Sequence, residues 1–212
     1  MKIVILCDGR TPSDRVLRNH AESADLFIAA DGGANHALQT GLQPDIVTGD
    51  MDSFIPDEGY RGRVIRNLDQ ETNDLEKALD VAIRESDGSY KQILVFGAAG
   101  KRLDHTLKNL SVLTKYDDGR CRIRFIDLYG EILLLPRKFR RSFTIGTPIS
   151  LFPLSGRVDG ITTLGLKYPL KNESLENGVR DGTSNEAVKE TVEISHKKGD
   201  LLLFIVNNLQ EL

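Results

Sequence analysis

Carboxylates and glycines follow short apolar segments repeatedly in the first half of the chain. Residues 31–33 (Asp-Gly-Gly) follow one such segment, 49–53 (Gly-Asp-Met-Asp-Ser) follow the next, and 69–74 (Asp-Gln-Glu-Thr-Asn-Asp) follow a third. Each group alone is explained by an Asp-rich turn or by a helix start. Several carboxylates brought to one edge would repel each other without a cation, and such hard oxygen ligands suit Mg²⁺ that also binds substrate phosphates. Together they predict a metal site that handles phosphate.

A glycine loop at residues 97–105 adds a second feature of phosphate sites. Its glycines allow close approach of the backbone, and a predicted helix N-terminus follows, where N–H groups attract anions. The loop is not a Walker A motif, because two residues separate Gly97 from Gly100, and Arg102 rather than Ser or Thr follows Lys101. By itself the loop is equally explained by a solvated turn, so its meaning depends on the carboxylates nearby.

The elements that must position these residues are short strands alternating with helices. Strand-like apolar runs cover residues 2–7, 26–30, 45–47, 64–65, 93–96 and 123–126, and helical patterns cover 13–22, 33–40, 73–86 and 103–116. This alternation predicts βαβ units and a mainly parallel sheet. In an open parallel sheet, ligands bind beyond the carboxyl ends of the strands, and the acidic and glycine segments fall there.

The clearest helical pattern covers residues 73–86. Its apolar residues recur at helical spacing on one face: Leu75, Ala78, Leu79, Ala82 and Ile83. Asn73, with Glu76 three residues later, has the form of a capping box in which Asn replaces the usual Ser or Thr. The pattern predicts a helix that starts beside Asp74.

The sequence changes character after Pro136. Residues 149–152, 188–194 and 201–206 are short strand-like runs separated by Gly, Pro and Asn, and no long helical pattern appears among them. We therefore place a boundary near residues 137–141, with a mainly parallel α/β part before it and an all-β part after it.

Composition excludes several other classes of protein. The chain has 212 residues, 40% hydrophobic and 28% charged, with a net charge of -3, which argues against a nucleic-acid-binding protein. No segment approaches the ~20 apolar residues that cross a bilayer, and the apolar N-terminal run is too short for a signal peptide. Cys7 and Cys121 lie in separate apolar stretches and are expected to be buried thiols. We expect a cytoplasmic protein.

Five ordered motifs resemble the thiamine diphosphokinase family, also called thiamine pyrophosphokinases. The motifs are residues 30–35 (Ala-Asp-Gly-Gly-Ala-Asn), 49–53, 70–78 (Gln-Glu-Thr-Asn-Asp-Leu-Glu-Lys-Ala), 100–105 (Gly-Lys-Arg-Leu-Asp-His), and 166–170 (Leu-Lys-Tyr-Pro-Leu) with 183–185 (Thr-Ser-Asn). The similarity in order and approximate spacing spans nearly the whole chain. It implies a Rossmann-like α/β catalytic domain at residues 1–136, joined to a thiamine-binding and dimerisation β-sandwich at residues 137–212.

The resemblance also implies residue roles in a homodimer whose thiamine site lies at the subunit interface. It assigns Mg²⁺ and catalysis to Asp50, Asp52 and Asp74, with Gln70 near thiamine and the reacting phosphates. Nucleotide-binding residues would be Asp31, Gly32, Gly33, Asn35, Gly97, Gly100, Arg102, Asp104 and His105. Thiamine-binding residues would be Gln70, Tyr168, Leu175, Gly182, Thr183, Ser184 and Asn185.

The implied reaction is in-line attack of the thiamine hydroxyethyl oxygen on the β-phosphorus of ATP, which releases AMP. Such transfers depend on positioning and charge neutralisation more than on covalent catalysis. Either Asp74 or a neighbouring carboxylate is the candidate acceptor of the alcohol proton, and the sequence leaves the choice open. Two departures from the family pattern occur: Tyr168 stands where some members have Trp, and Asn73 replaces a common Thr. Neither removes an implied metal ligand.

Two alternatives remain at this level. The same catalytic domain serves equally for pyrophosphoryl transfer to another alcohol, such as a hydroxymethylpterin, although the motifs around Tyr168 and Ser184 disfavour that acceptor. The second alternative is a non-catalytic nucleotide or thiamine sensor. The full carboxylate set disfavours a sensor, which has no need of all three acids.

Overall fold

The computed structural model describes residues 1–55, 58–120 and 122–206. The chain forms two compact units: one contains Met1–Val112 with Ile123–Leu128, and the other contains Leu113–Arg122 with the chain from Tyr129 onward. The first unit is α/β and the second is almost entirely β, so the predicted fold class is confirmed.

The first unit is built from parallel strands and the helices that connect them. Its strands are β1 (Lys2–Leu6), β2 (Leu26–Ala30), β3 (Ile46–Gly49), β4 (Arg63–Arg66), β5 (Gln92–Phe96) and β6 (Ile123–Asp127), and its helices are α1 (Asp14–Glu22), α2 (Gly33–Gln39), α3 (Asp74–Glu85) and the start of α4 (Leu103–Tyr116). The described strands lie in the order β6-β5-β1-β2-β3-β4, and every neighbouring pair is parallel.

Buried apolar side chains hold the helices against this sheet. Leu17 of α1 packs with Val4 of β1 and Phe27 of β2 in one fully or nearly buried cluster, while Ala34 of α2 packs with Val47 of β3 in another. Helix α3 packs against β1, β2 and β3. The core of the unit therefore fixes where the carboxyl ends of β1, β2 and β3 lie.

Helix α3 has the predicted start. Asn73 is its N-cap: its side-chain oxygen accepts a hydrogen bond from the backbone N–H of Glu76 (2.9 Å), and the Glu76 carboxylate accepts one from the backbone N–H of Asn73 (3.2 Å). The reciprocal pair satisfies two N–H groups that a helix end otherwise leaves without partners. It places Asp74 as the first residue of the helix.

The structure confirms a helix at residues 103–116 but not a fully buried apolar face. Val112 and Leu113 are buried, whereas Leu103 is 73% exposed and Leu107 is 59% exposed. Helical periodicity therefore identified the element, but only the later part of its apolar face lies in the core.

The second unit contains two antiparallel groups of strands around one apolar core. Its strands are β7 (Gly130–Leu134), β8 (Lys138–Ser142), β9 (Pro148–Pro153), β10 (Val158–Leu164), β11 (Lys171–Leu175), β12 (Gly182–Glu186), β13 (Thr191–Ser195) and β14 (Leu201–Val206). Within this unit the described orders are β12-β9-β14-β7 and β11-β10-β13-β8. Leu151 of β9 and Leu203 of β14 share a core cluster with Ile161 of β10 and Ile194 of β13, as expected for a β-sandwich.

One predicted strand begins later than expected. The run 188–194 was predicted to be extended throughout, but the strand starts at Thr191, where its ladder with Ser142 begins. The preceding residues form a turn in which Val188 N–H donates to the carbonyl of Gly165 (2.8 Å) and Phe143 N–H donates to that of Glu190 (2.7 Å). Those hydrogen bonds take the place of strand pairing.

The first predicted buried thiol is confirmed, and the second lies outside the described residues. Cys7 is a free, buried cysteine at the end of β1, and burial raises the pKa of its thiol to about 12, with Asp74 and Asp8 adding to the shift. Cys121 is not among the described residues. None of the helices in the described part of the chain is long and apolar enough to span a membrane.

Candidate active site

A cavity of about 700 Å³ lies beyond the carboxyl ends of the strands of the first unit. This is the position at which open parallel sheets bind ligands. Nine of the predicted site residues line it: Asp31, Gly32, Asp50, Asp52, Gln70, Asp74, Gly97, Arg102 and His105. Of the others in this unit, Asn35 lines an adjoining cavity of about 500 Å³, while Gly33, Gly100 and Asp104 belong to the surrounding segments. The structure thus brings most of the predicted site residues of this unit together at one rim of the sheet.

Three carboxylates converge within this cavity. Asp31, Asp50 and Asp52 each offer an oxygen such that all three oxygens lie within 4.8 Å of one another. A tight turn brings two of them together: Met51 has a positive φ of 69°, and the backbone N–H of Asp52 donates to Asp50 Oδ1 (3.1 Å). The Ser53 hydroxyl donates to Asp52 Oδ1 (2.8 Å). The turn alone accounts for the backbone shape, but it does not account for the third carboxylate.

Asp31 reaches the cluster from a buried and strained position. It is 3% exposed, and its φ of 41° lies in the left-handed region that non-glycine residues seldom adopt. Its two carboxylate oxygens accept backbone hydrogen bonds from Ser53 (3.2 Å) and Phe54 (3.1 Å). Asp31 therefore ties the end of β2 to the turn after β3.

The electrostatics of the cluster favour a cation. Burial is the largest cause that raises the pKa of Asp31, and contact with Asp52 and repulsion from Asp74 raise it further. The pKa of the exposed Asp52 carboxyl is lowered, first by the Ser53 hydroxyl and next by Asp31. Two carboxyls in contact cannot both ionise freely, because their negative charges repel each other. A divalent cation placed between them would reduce that repulsion.

Asp74 lies beside the cluster, at the N-terminus of α3. Gly49, the last residue of β3, is in close contact with both Asp31 and Asp74. A Cβ built on Gly49 would lie 2.7 Å from Asp31 Cβ and 3.2 Å from Asp74 Oδ1, so a larger residue would push against both side chains. Lys77 Nζ is 3.3 Å from the same Asp74 oxygen. Burial raises the pKa of Asp74 against the lowering effect of Lys77, and the charges of Asp50 and Asp52 add to the rise. Asp31 rather than Asp74 completes the closest group of three carboxylates.

The glycine loop after β5 is pinned to the segment after β1. Gly9 N–H donates to the carbonyl of Gly97 (2.8 Å), and Arg10 N–H donates to that of Ala99 (2.7 Å). A Cβ on Gly9 would lie 2.1 Å from the Gly97 carbonyl oxygen, so no other residue fits there without a backbone shift. Gly97 and Gly100 both have positive φ (66° and 102°). These contacts hold the loop open toward the cavity.

Charged side chains of this loop are exposed at the cavity mouth. Lys101 Nζ is 2.8 Å from Asp8 Oδ1, and Arg102 forms two hydrogen bonds with Asp104, at 3.1 and 2.5 Å. The Arg102 guanidinium lowers the pKa of Asp104 to about 2. Because Arg102 and Asp104 remain largely exposed, this pair adds little to stability and leaves the guanidinium accessible to an anion.

Several residues that organise the site are not among the predicted site residues. The Asn109 amide donates to the carbonyl of Ala98 (2.7 Å) and accepts from the side chain of Asn73 (2.8 Å), so it links the glycine loop to the start of α3. Asp8 and the buried Lys77 also line the cavity. Asn109 and Lys77 lie within helices, where polar residues usually face solvent, so periodicity gave no sign of their positions.

The predicted residues of the second unit fall into exposed and buried sets. The Tyr168 side chain is 61% exposed, whereas Leu175 is completely buried in the β core. The side chain of Asn185 accepts from Tyr168 N–H (3.0 Å) and donates to its carbonyl (2.8 Å), which fixes the backbone beside the ring. Ser184 has a positive φ of 59°. The remaining two residues of the set, Gly182 and Thr183, lie in β12 with Ser184 and Asn185.

Comparison with protein families gave two matches that together cover most of the chain. A model described as "Thiamin pyrophosphokinase, catalytic domain" matches residues 17–125, and one described as "Thiamin pyrophosphokinase, vitamin B1 binding domain" matches residues 138–201.

Individual relatives carry the same name. Thiamine pyrophosphokinase 1 of Oryza sativa subsp. japonica is 32% identical over 203 residues, which is 82% of this chain and 76% of the relative. Thiamine pyrophosphokinase of Bacillus subtilis (strain 168) is 28% identical over 200 residues, 88% of this chain and 90% of the relative. The crystal structure of a B. subtilis thiamine pyrophosphokinase superposes with a TM-score of 0.83 at 27% identity, covering 98% of this chain and 100% of that one.

Proposed function

This chain belongs to the thiamine pyrophosphokinase family, and we propose that it transfers a pyrophosphoryl group from ATP to the hydroxyethyl oxygen of thiamine with the aid of Mg²⁺. The products are thiamine diphosphate and AMP. The observation that carries the proposal is the cavity at the sheet rim, in which Asp31, Asp50 and Asp52 converge within 4.8 Å. Family membership supplies the reaction, and this cluster supplies a place for it.

The donor set of the cavity fits a magnesium ion. Five aspartates line the cavity against three basic side chains: Asp8, Asp31, Asp50, Asp52 and Asp74 against Lys77, Lys101 and Arg102. The excess of carboxylates would repel a polyphosphate, and a bound cation would reduce that repulsion. Carboxylate oxygens are the ligands that Mg²⁺ prefers, commonly with substrate phosphates completing its shell. When bound, the ion would neutralise phosphate charge and orient the reacting groups.

The aspartates of the cavity would have two different roles, metal binding and support of the metal-binding turn. Asp50, Asp52 and Asp74 would hold Mg²⁺, with Asp31 as the buried neighbour that keeps the turn of residues 50–53 in place through its hydrogen bonds to Ser53 and Phe54. The alcohol proton would pass to Asp74 or to a neighbouring carboxylate of the cavity.

The glycine loop would bind the nucleotide. The backbone between Gly97 and Gly100 carries only the methyl groups of Ala98 and Ala99, so phosphate oxygens can approach it closely. Helix α4 begins shortly after the loop, at Leu103, and its N-terminal N–H groups favour an anion. Arg102 and His105 line the cavity beside the loop. Gln70, which lines the cavity from the segment between β4 and α3, would orient thiamine and the transferred phosphates. Asp104 would act by holding the Arg102 guanidinium.

The second unit would provide the thiamine pocket in a homodimer. The exposed ring of Tyr168 offers a face for stacking on a thiamine ring, and the match to a vitamin B1 binding domain covers this region. Leu175 would support the pocket from below Gly182, since a Cβ at that glycine would lie 3.2 Å from Leu175 Cδ1. Residues 1–136 would thus be the catalytic domain and 137–212 the thiamine-binding and dimerisation domain, in a cytoplasmic enzyme.

A product assay tests the proposal. Purified protein is incubated with ATP, Mg²⁺ and thiamine, and AMP and thiamine diphosphate are quantified together. We expect equal amounts of both and loss of both with EDTA. ADP as the product contradicts pyrophosphoryl transfer. Thiamine binding without turnover indicates a sensor, and AMP formed with a hydroxymethylpterin but not with thiamine indicates the rival acceptor.

A further inference from the structure

Lys77 is an unusual residue of the cavity because its side chain is buried. It lies in the first turns of α3, lines the cavity, and is 3% exposed. Lysines are almost never fully buried unless they are paired, since removing an ammonium from water carries a large desolvation penalty. The other basic side chains of the cavity, Lys101 and Arg102, are more than half exposed. Lys77 therefore needs a strong interaction to account for its position.

The interaction that the structure provides is incomplete. Among the described residues, Lys77 Nζ has one hydrogen-bond partner, Asp74 Oδ1, at 3.3 Å. That distance is long for a bond between two charged groups, which is typically ~2.7–2.9 Å. An ammonium carries three N–H donors, so two donors remain for acceptors that the cavity itself would hold. The charge of Lys77 also reaches Asp52, whose pKa it helps to lower. The ammonium thus contacts one proposed metal ligand, Asp74, and acts on a second, Asp52, through its charge.

We propose that Lys77 is a further catalytic residue whose ammonium donates hydrogen bonds to the nonbridging oxygens of the transferred pyrophosphoryl group. The assignment rests on the proposed function, because it needs a polyphosphate in the cavity. During transfer, the bond between the α,β-bridging oxygen and the β-phosphorus breaks, and a bond from the thiamine oxygen to that phosphorus forms. AMP leaves with the bonding pair, and the alcohol proton passes to a carboxylate. Lys77 keeps its proton and stabilises the charge on the moving group.

Replacing Lys77 by Met tests the assignment, with Lys108 as the matched control. Lys77→Met keeps an unbranched chain in the buried position. Lys108 of α4 pairs with Glu76 of α3, the helix that also carries Lys77, at 2.9 Å. Lys108 does not line the cavity. We expect Lys77→Met to lower kcat by about 100-fold, the usual effect of losing one donor to transition-state charge, with the KM for thiamine unchanged. Lys108→Met should stay within about twofold of the unmodified chain. Equal turnover of Lys77→Met and the unmodified chain overturns the proposal.

Mn²⁺ binding in the absence of nucleotide distinguishes two roles for Lys77. The residue either contacts the phosphate directly or positions the proposed metal ligand Asp74. Because Lys77 acts on the phosphate, Lys77→Met should bind Mn²⁺ at least as tightly as the unmodified chain, as followed by electron paramagnetic resonance. Weaker Mn²⁺ binding shows that Lys77 merely positions Asp74, and it overturns the assignment. The melting temperature of Lys77→Met should fall, because the substitution leaves Asp74 without its ion-pair partner. Circular dichroism at the assay temperature therefore checks that the variant used for kinetics is folded.

Chemical rescue provides a second variant. Lys77→Ala leaves room for a small cation, and methylammonium should raise its turnover at least tenfold. Tetramethylammonium has the same charge but no N–H donor, so it should not. Equal effects of the two cations, or none from either, refute the hydrogen-bonding role. Absence of AMP and thiamine diphosphate from the unmodified chain is a different result, because it refutes the proposed function itself.

Discussion

Asp31→Asn is the substitution that most directly distinguishes an effect on metal binding from an effect on the stability of the fold. Asparagine keeps the size of the side chain and tolerates the positive φ of 41° at this position. It retains one oxygen for the two backbone N–H groups of Ser53 and Phe54, so one of them loses its acceptor, at a cost of about 1–3 kcal/mol. Relief of repulsion from Asp52 and Asp74 opposes this cost. The metal-free variant should therefore melt close to the unmodified chain.

The effect of added Mg²⁺ on the melting temperature should differ between the two proteins. A ligand at 100 times its dissociation constant stabilises the folded state by about 2.7 kcal/mol. Loss of the negative charge of Asp31 beside the ligands Asp50 and Asp52, and of one of its hydrogen bonds to the turn that carries them, should weaken Mg²⁺ binding about tenfold. That change removes about 1.4 kcal/mol of the stabilisation. For a chain of this size, the upward shift in melting temperature should shrink by roughly 3–6 °C.

Differential scanning calorimetry with and without Mg²⁺ measures this shift. Asp45→Asn is the matched control, since Asp45 Oδ2 also accepts a backbone hydrogen bond, from Phe27 (2.8 Å), but Asp45 does not line the cavity. Its Mg²⁺-induced shift should equal that of the unmodified chain. An unchanged shift in Asp31→Asn would refute the argument that this cluster binds the ion.

Three further predictions concern single residues. Asp52→Asn should abolish turnover without changing the fold, because this carboxylate is exposed; activity and circular dichroism check both parts. Tyr168→Ala should raise the KM for thiamine at least tenfold and Tyr168→Phe only slightly, if the exposed ring stacks on the substrate; steady-state kinetics measure the difference. Burial lowers the pKa of His196 below 6.5, so the unfolded chain binds the proton first and stability should fall as pH drops below about 6.5. A His196→Leu variant should lose that part of the pH dependence in thermal melts, and identical pH profiles would contradict it.

The rim of the sheet could be predicted from the sequence because apolar runs mark strands and polar residues mark their ends. The group Asp31, Asp50 and Asp52 is less predictable. Asp31 reaches it through a left-handed backbone conformation, which no periodicity reveals. Whether Asp31 or Asp74 lies nearer the other two depends on the close approach of both to Gly49, a tertiary contact.

The second unit was predicted only in outline for a different reason. Strands β11 (Lys-Asn-Glu-Ser-Leu) and β12 (Gly-Thr-Ser-Asn-Glu) have almost no apolar residues, so they lack the alternation that identifies a half-buried strand. They form through backbone pairing with β10 and β9, and both ladders contain register shifts. Lys77 escaped notice similarly, because its burial depends on α3 packing against β2 and β3.

The most direct test of the central claim follows the fate of the β- and γ-phosphorus atoms of ATP. ATP labelled with radioactive phosphorus at either the β- or the γ-position is incubated with thiamine, Mg²⁺ and the purified protein, and the products are separated. If the cavity performs a single pyrophosphoryl transfer, both labels appear in thiamine diphosphate in equal yield and AMP carries neither. Appearance of the γ-label alone in a thiamine phosphate, with the β-label retained in ADP, would contradict the account.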